Sequence, residues 1–189
     1  MEWLDEVRIR LKKRNQVLFT KDTEFLQDLT MLFRDQSHRT MVLWALDLAA
    51  ESVAKLEEKY PDEPRPKEAL EAARAWAAGM IKMRLAQRKI LDCHAFAKGI
   101  DSREDIALCH AIGQACAVVH TAGHAIGYPM YDLSAIISGL ELKAARKPSS
   151  SASRSTSRRY STGMNILVIT KASGRILCSN NAFRTGDDS

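Results

Sequence analysis

Residues 102–131 read SREDIALCHAIGQACAVVHTAGHAIGYPMY, a run of small and apolar side chains that contains three histidines. The pattern predicts one long helix. Ser102 followed by Asp105 is typical of a helix start, and Gly127 followed by Pro129 is typical of a helix end, because proline lacks the N–H and clashes with the preceding turn. We expect this helix to be central and buried, since its many alanines, glycines and cysteines let neighbouring helices approach closely.

The three histidines of the predicted helix fall on one side of it. At about 100° per residue, His110, His120 and His124 share a side with Gly113 and Ala117. One interpretation is structural, with core imidazoles hydrogen-bonded to groups on neighbouring helices. The other is a candidate binding or catalytic cluster, drawn from the residues Asp47, His94, His110, His120 and His124, with Asp92 as a further carboxylate.

This candidate cluster has some features of a metal site. His120 and His124 have the i,i+4 spacing that lets two imidazoles bind one zinc ion, and His94 could be a third ligand. The chain has neither an HExxH motif nor an ExxH motif of the di-iron bundles. We therefore expect no cofactor and no catalytic residue, and we keep a zinc-binding, iron-binding or hydrolytic protein as the alternative. Cys116 lies four residues before His120, but apolar neighbours would keep its thiol neutral.

The composition of the 189-residue chain indicates a single globular domain in a reducing compartment. Cys93, Cys109, Cys116 and Cys178 form no CxxC pair, so we expect reduced, buried thiols. No apolar run approaches the roughly 18 residues that cross a bilayer. We therefore expect a soluble, cytoplasmic protein without a membrane partner.

The net charge of +5 is unevenly distributed along the chain. From Pro148 onward there are six Lys or Arg and two Asp or Glu, which leaves 22 basic and 21 acidic residues before Pro148. A nearly neutral body disfavours an extended phosphate-binding surface. Nucleic acid is therefore disfavoured as a partner, except through the C-terminal tail.

Hydrophobic periodicity predicts an all-α fold, a single compact bundle or array of about six helices joined by short connections. Besides residues 102–127, helices are predicted from Thr20 or Asp22 to Phe33 and at Thr40–Tyr60, Pro66–Ala78, Met80–Lys98 and Tyr131–Arg146. The first residues fit a short helix or an extended arm, and we favour a solvated arm. Asp47 lies within the apolar pattern of Thr40–Tyr60, either solvated at its edge or paired with a cation.

Three segments follow from these patterns. Residues 1–19 are an N-terminal arm and residues 20–147 are the helical domain. Residues 148–189 are a Ser/Arg-rich, low-complexity tail that is disordered or weakly β, because PSSSASRSTSRRYS cannot bury enough apolar surface. Two short apolar runs, Asn165–Thr170 and Arg175–Cys178, could form only a marginal hairpin.

Four blocks of the chain, in this order and spacing, resemble one known family. They are HRTMVLWALDLAAESV at His38–Val53, YPDEPRPKEALEAARAWAAG at Tyr60–Gly79, LDCHA at Leu91–Ala95 and IALCHAIGQACAVVHTAGHAIGYPMY at Ile106–Tyr131. The chain resembles the immunity proteins of bacterial polymorphic toxin systems, the group described as an immunity-protein-five-like domain, over roughly Gln27 to Arg146. The motif residues outside the candidate cluster are Trp44, Tyr60, Pro61, Arg65, Pro66, Arg74 and Trp76, and Asp47 belongs to both sets.

The resemblance implies an all-helical domain that binds a cognate protein toxin and neutralises it without enzymatic activity. It supplies no catalytic residue. The oligomeric state and the identity of the toxin are left open by the sequence.

Overall fold

The computed structural model describes residues 2–145 of the chain, and this part is entirely helical, without a strand. Its α-helices are α1 Glu2–Lys12, α2 Glu24–Arg34, α3 His38–Lys59, α4 Arg65–Ala77, α5 Met83–Phe96, α6 Arg103–Ala117 and α7 Gly127–Ala145. Two short 3₁₀ turns, Ala97–Gly99 and Ala122–His124, follow α5 and α6. The all-α prediction is confirmed. The predicted tail, its hairpin and Cys178 lie outside the described residues.

Two of the helix starts have the capping geometry that their sequences predict. The Ser37 hydroxyl accepts the Thr40 N–H at 3.1 Å at the start of α3, and the Ser102 hydroxyl accepts the Asp105 N–H at 3.3 Å at the start of α6. Each bond satisfies one of the free N–H groups that a helix leaves in its first turn. Pro66 occupies the first turn of α4, where its missing N–H costs nothing.

Helix α6 lies at the centre of the hydrophobic core, as predicted. It packs against α3, α4 and α5, and its buried side includes Ala107, Leu108, Cys109, Ala111, Ile112, Ala115 and Cys116. Small residues dominate this set, so the neighbouring helices can approach the α6 backbone closely.

The described chain divides into two compact units, Met1–Ala135 and the residues from Ile136 onward. All of the sites discussed below lie in the first unit. No helix within residues 2–145 combines the length and the apolar character needed to cross a membrane. The limits of the domain and the tail stay predictions.

The prediction of one continuous helix over residues 102–127 is wrong, because α6 ends at Ala117. Backbone N–H groups from Val118 to His120 bond three residues back, as in a 3₁₀ turn. The Val118 carbonyl accepts a hydrogen bond from Nε2 of His38 at 2.6 Å, so the first residue of α3 fixes the end of α6. Periodicity continues through this break, and a tertiary contact rather than the local sequence ends the helix.

The residues Gly127 and Pro129, predicted to terminate a helix, instead begin α7. Proline is compatible with the first turn of a helix, where its N–H would have no partner. The break before α7 brings Tyr128 into the core, with 1% of its surface exposed. Its hydroxyl donates to the Leu48 carbonyl at 3.0 Å and lies 3.0 Å from the Ser52 hydroxyl, so the start of α7 is bonded to α3.

The N-terminal segment is a helix packed on the domain, and the prediction of a solvated arm is wrong. Leu4 and Val7 of α1 are buried, as is Leu18, which follows the helix. The Leu18 N–H donates to the Ser134 hydroxyl at 2.9 Å. Burial of these apolar side chains, at about 25 cal/mol per Å², stabilises the segment against the body.

Candidate functional site

The histidines of α5 and α6 form a direct pair. Nδ1 of His94 lies 2.8 Å from Nδ1 of His110, with the ring centroids 5.0 Å apart. At this distance one Nδ1 donates its proton and the other accepts it, because two N–H groups would repel. The centroid of the Tyr131 ring lies 5.2 Å from that of the His110 ring. The pair therefore exists only while at least one Nδ1 is unprotonated.

Gly113 makes room for this pair. A Cβ on Gly113 would collide with the His94 imidazole, at Cε1 and Nε2. The absence of a side chain thus lets the ring lie against the α6 backbone. Gly127 likewise leaves space for the Gln114 side chain, since a Cβ on Gly127 would collide with the Gln114 amide.

A second pair of histidines follows the break after α6. Nδ1 of His124 lies 2.9 Å from the Gln114 side-chain oxygen, so His124 donates its Nδ1 proton to that amide. The His120 ring lies 5.6 Å from the His124 ring, and Nδ1 of His120 is buried without a hydrogen-bond partner in the described structure. We call His94, His110, His120 and His124 together the histidine group.

Burial disfavours charge throughout most of the histidine group. Burial, together with the charges of His110 and His124, lowers the pKa of His94 to about 4 from its ordinary value of 6.5. Burial lowers the pKa of His110, and burial and the charge of His124 lower the pKa of His120. Desolvation penalises the protonated form of an imidazole. His94, His110 and His120 are therefore neutral at pH 7.

The structure does not bring Asp47 to the histidine group. Asp47 is exposed on α3, and no hydrogen bond or ion pair joins it to any of the four histidines. This agrees with a solvated carboxylate at the edge of the apolar pattern, one of the two sequence interpretations. Within residues 2–145, no three His, Cys, Asp or Glu side chains lie together so that they could hold a metal ion.

A second polar site joins the end of α3 to the start of α6. Asp105 is 3% exposed, and its two oxygens accept from the Lys59 ammonium at 2.6 Å and the Tyr60 hydroxyl at 2.9 Å. Glu104 lies 3.5 Å from the same ammonium on the surface side. We call Lys59, Tyr60, Glu104 and Asp105 the Asp105 junction.

Both donors of the Asp105 junction hold their protons more tightly than usual. Burial raises the pKa of Tyr60 to about 12, helped by its hydrogen bond to Asp105. Burial alone would lower the pKa of Lys59, but the hydrogen bond and the charge of Asp105 outweigh it and raise that pKa. The buried carboxylate is thus matched by donors that stay protonated at neutral pH.

The remaining family-motif residues lie outside the histidine group, and Arg65 and Trp44 make contacts within the domain. Arg65 makes two parallel hydrogen bonds to the Glu63 carboxylate, at 2.6 and 2.5 Å, and its guanidinium lies 5.1 Å from the centre of the Phe96 ring. The Arg65 pair lowers the pKa of Glu63. Trp44 packs edge-on against Phe33 at 4.9 Å. Of the others, Pro66 is buried, Trp76 is partly buried, and Pro61 and Arg74 are exposed.

The cysteines of the described chain are free, buried thiols, as predicted from their spacing. Cys93 donates to the Cys109 carbonyl at 3.6 Å, which ties α5 to α6. Burial raises the pKa of all three, that of Cys116 to about 12. Cys116 makes no hydrogen bond to His120, so the structure provides no activated thiol.

Sequence reasoning missed three residues that organise these sites. Asp105 was recognised as part of a helix start, but the role of its carboxylate was not. A signal was present, because a carboxylate in the first turn of a buried helix needs a partner. Gln114 and Tyr131 gave no such signal, since their contacts depend on the break after Ala117.

Residues 31–154 match the family described as "Imm-5 like putative immunity protein". The chain belongs to this immunity protein family. The resemblance drawn from the four sequence blocks is thereby confirmed, and the matched range begins and ends a few residues after the predicted Gln27–Arg146. No curated protein and no solved structure matches the chain.

Proposed function

We propose that this protein binds a cognate protein toxin, neutralises it by stoichiometric binding, and acts without enzymatic chemistry. The observation that carries the proposal is the family match over residues 31–154. Membership of an immunity protein family implies a protein partner. A tight complex with the toxin would suffice for neutralisation, without a chemical step.

The geometry of the histidine group supports a binding protein better than an enzyme. Its ring nitrogens engage one another and the Gln114 amide, so His94, His110 and His124 already have protein partners. A general base needs a pKa near the working pH, whereas burial holds the pKa of His94 at about 4. Burial raises the pKa of Cys93, Cys109 and Cys116, which disfavours a thiolate nucleophile at these described positions.

A titration of toxin activity separates binding from catalysis. The probe is the purified product of the toxin-like gene adjacent to the gene of this protein. We expect activity to fall linearly and to reach zero at one equivalent, with the toxin mass unchanged by mass spectrometry. Loss of activity at a few hundredths of an equivalent, or a covalent change in the toxin, would contradict the proposal and favour an enzyme.

We also propose that the protein acts without a metal ion. None of the described residues favours the alternative of zinc or iron binding, since the histidine group offers no third ligand in reach of one ion. Elemental analysis of the purified protein should give far less than one equivalent of zinc or iron. One equivalent, lost on His120→Ala and His124→Ala, would restore the metal-binding alternative.

A further inference from the structure

Exposed apolar side chains are concentrated in one short part of the described chain. Seven large hydrophobic side chains are exposed among the described residues, and four of them fall within the twelve residues 80–91: Met80 (71%), Met83 (39%), Leu85 (50%) and Leu91 (63%). Apolar side chains left in water on a folded protein mark binding surfaces when they are grouped. Residues 80–91 are therefore the strongest candidate for a docking surface.

Helix α5 carries Met83 and Leu91 on an exposed side that adjoins its core contacts. At about 100° per residue, the buried residues Ala86, Ile90 and Cys93 fall in one narrow arc of the helix. Met83, Arg84 and Leu91 fall in an arc that begins next to it, and all three are exposed. We define the α5 outer face as Met83, Arg84, Arg88 and Leu91 of the helix, together with Met80, which precedes it. Leu85 lies outside this arc of the helix.

The same residues carry an excess of positive charge. Residues 80–91 contain four cations, Lys82, Arg84, Arg88 and Lys89, and no acidic residue. Lys89 pairs with Glu68 at 2.9 Å, and Arg88 lies 3.5 Å from Asp92. Lys82 and Arg84 make no ion pair within residues 2–145. Residues 1–147 have 22 basic and 21 acidic residues, a net charge of +1, so removing these four cations leaves −3 for the rest.

We propose that the α5 outer face is the docking surface for an acidic protein surface that carries apolar side chains, the toxin of the proposed function on which this inference rests. Apolar contacts at the centre supply most of the affinity, and opposite charges around them supply orientation and speed of association. The acidic partner complements both the free Arg84 and the positive charge of the segment.

Three other occupants of the α5 outer face are disfavoured: a second copy of the chain, residues 148–189, and nucleic acid. A second copy bound face to face would bring Arg84 and Arg88 against the same cations, because a two-fold interface pairs one surface with itself. Residues 148–189 of this chain have six basic and two acidic residues, so they repel the α5 outer face. Nucleic acid would use the cations but would leave Met83 and Leu91 in water.

The test compares two leucines of equal exposure on different helices. Leu91 is 63% exposed on α5, and Leu43 is 62% exposed on α3. Both become glutamate, and binding to the purified product of the adjacent toxin-like gene is measured by calorimetry. We expect Leu91→Glu to weaken binding at least tenfold and Leu43→Glu to change it less than twofold. Both variants should melt within a few degrees of the wild type.

A second pair of variants tests the charge. Arg84→Glu should weaken toxin binding about tenfold, and the wild-type affinity should fall as salt is raised. Arg39→Glu, an exposed arginine of α3, is the matched control and should have little effect.

Each other outcome overturns a stated part of the proposal. Equal effects of Leu91→Glu and Leu43→Glu, with tight wild-type binding, would overturn the docking surface and leave the proposed function intact. No wild-type binding would overturn the proposed function and this inference with it. A wild-type dimer that Leu91→Glu dissociates would assign the α5 outer face to a second copy. A single-stranded RNA that competes with the toxin, and whose binding is reduced by Arg84→Glu but not by Leu91→Glu, would assign it to nucleic acid.

Discussion

The Asp105 junction and the histidine group are both built on α6, yet they use charge in opposite ways. The Asp105 junction buries one carboxylate and surrounds it with protonated donors, so charge is required there. In the histidine group one imidazole bonds to another, so the hydrogen bond between His94 and His110 requires that the two rings share a single Nδ1 proton. A buried polar contact can thus be stable because its charges match or because they are absent.

This contrast predicts different responses to mutation and to pH. Loss of a charge should damage the Asp105 junction, whereas gain of a charge should damage the histidine group. Four measurements test the contrast, and the first carries the largest expected effect.

Asp105→Ala should lower the free energy of unfolding by about 3 kcal/mol, because the Tyr60 hydroxyl and the Lys59 ammonium both lose their buried acceptor. Urea denaturation at pH 7 measures this change in the free energy of unfolding. The control is Glu104→Ala, which removes a partly exposed carboxylate near the same Lys59. That change should cost no more than about 0.5 kcal/mol. Equal costs would show that burial of Asp105 has no bearing on its contribution.

Gly113→Ala should destabilise the protein by about 1–3 kcal/mol, since the new Cβ displaces the His94 ring and breaks its bond to His110. In an ordinary helix the same change would stabilise by about 0.5–1 kcal/mol. Gly99→Ala is the control, because nothing lies near its added Cβ. The cost should largely disappear in a His94→Ala background, as a double-mutant cycle would show. A cost that persists in full there would place the strain elsewhere.

Acid should weaken the protein through His94 before its carboxylates are protonated. The pKa of His94 is lowered to about 4 in the folded chain, so the unfolded chain takes up the proton first. The stability that the neutral ring contributes is complete above about pH 6.5, and it is lost as the pH falls toward 4.

The urea midpoint of the wild type should therefore fall between about pH 7 and pH 5, and His94→Gln should flatten this slope. An NMR titration that gives His94 a pKa at or above its ordinary value would contradict the account directly.

Asp47→Asn should change the free energy of unfolding by less than about 0.5 kcal/mol, because Asp47 is exposed and has no partner in the histidine group. The matched change at the buried site, Asp105→Asn, should cost more than twice as much. A loss above about 1 kcal/mol for Asp47→Asn would mean that this carboxylate is paired after all, as one sequence interpretation held.

Several elements could be read from the sequence because their causes are local. The start of α3 at Ser37 and the start of α6 at Ser102 follow from side chains three residues from the groups they cap. The connection around Pro61, Pro64 and Pro66 follows from the restricted backbone of proline. Family membership followed from the order and spacing of four blocks, which no single helix pattern would have supplied.

The end of α6 could not be read in this way. Its periodicity continues past Ala117, and the residues that oppose it are His38 and the buried Tyr128, distant in the sequence. Pro129 gave a misleading signal, because the same residue type ends one helix and fits the first turn of the next. An error in one helix boundary thus changed the predicted placement of two histidines, His120 and His124.

The amino-acid sequence by itself determined the helical class, most helix starts, the buried thiols and the family, because periodicity, caps and motifs depend on neighbours along the chain. Only the tertiary structure decided where α6 stops, which histidines pair, that Asp105 is buried whereas Asp47 is exposed, and that α5 leaves an apolar, basic side uncovered. Those outcomes depend on contacts between residues that are distant in the sequence. The periodicity of a single helix does not indicate which residues will pack against it.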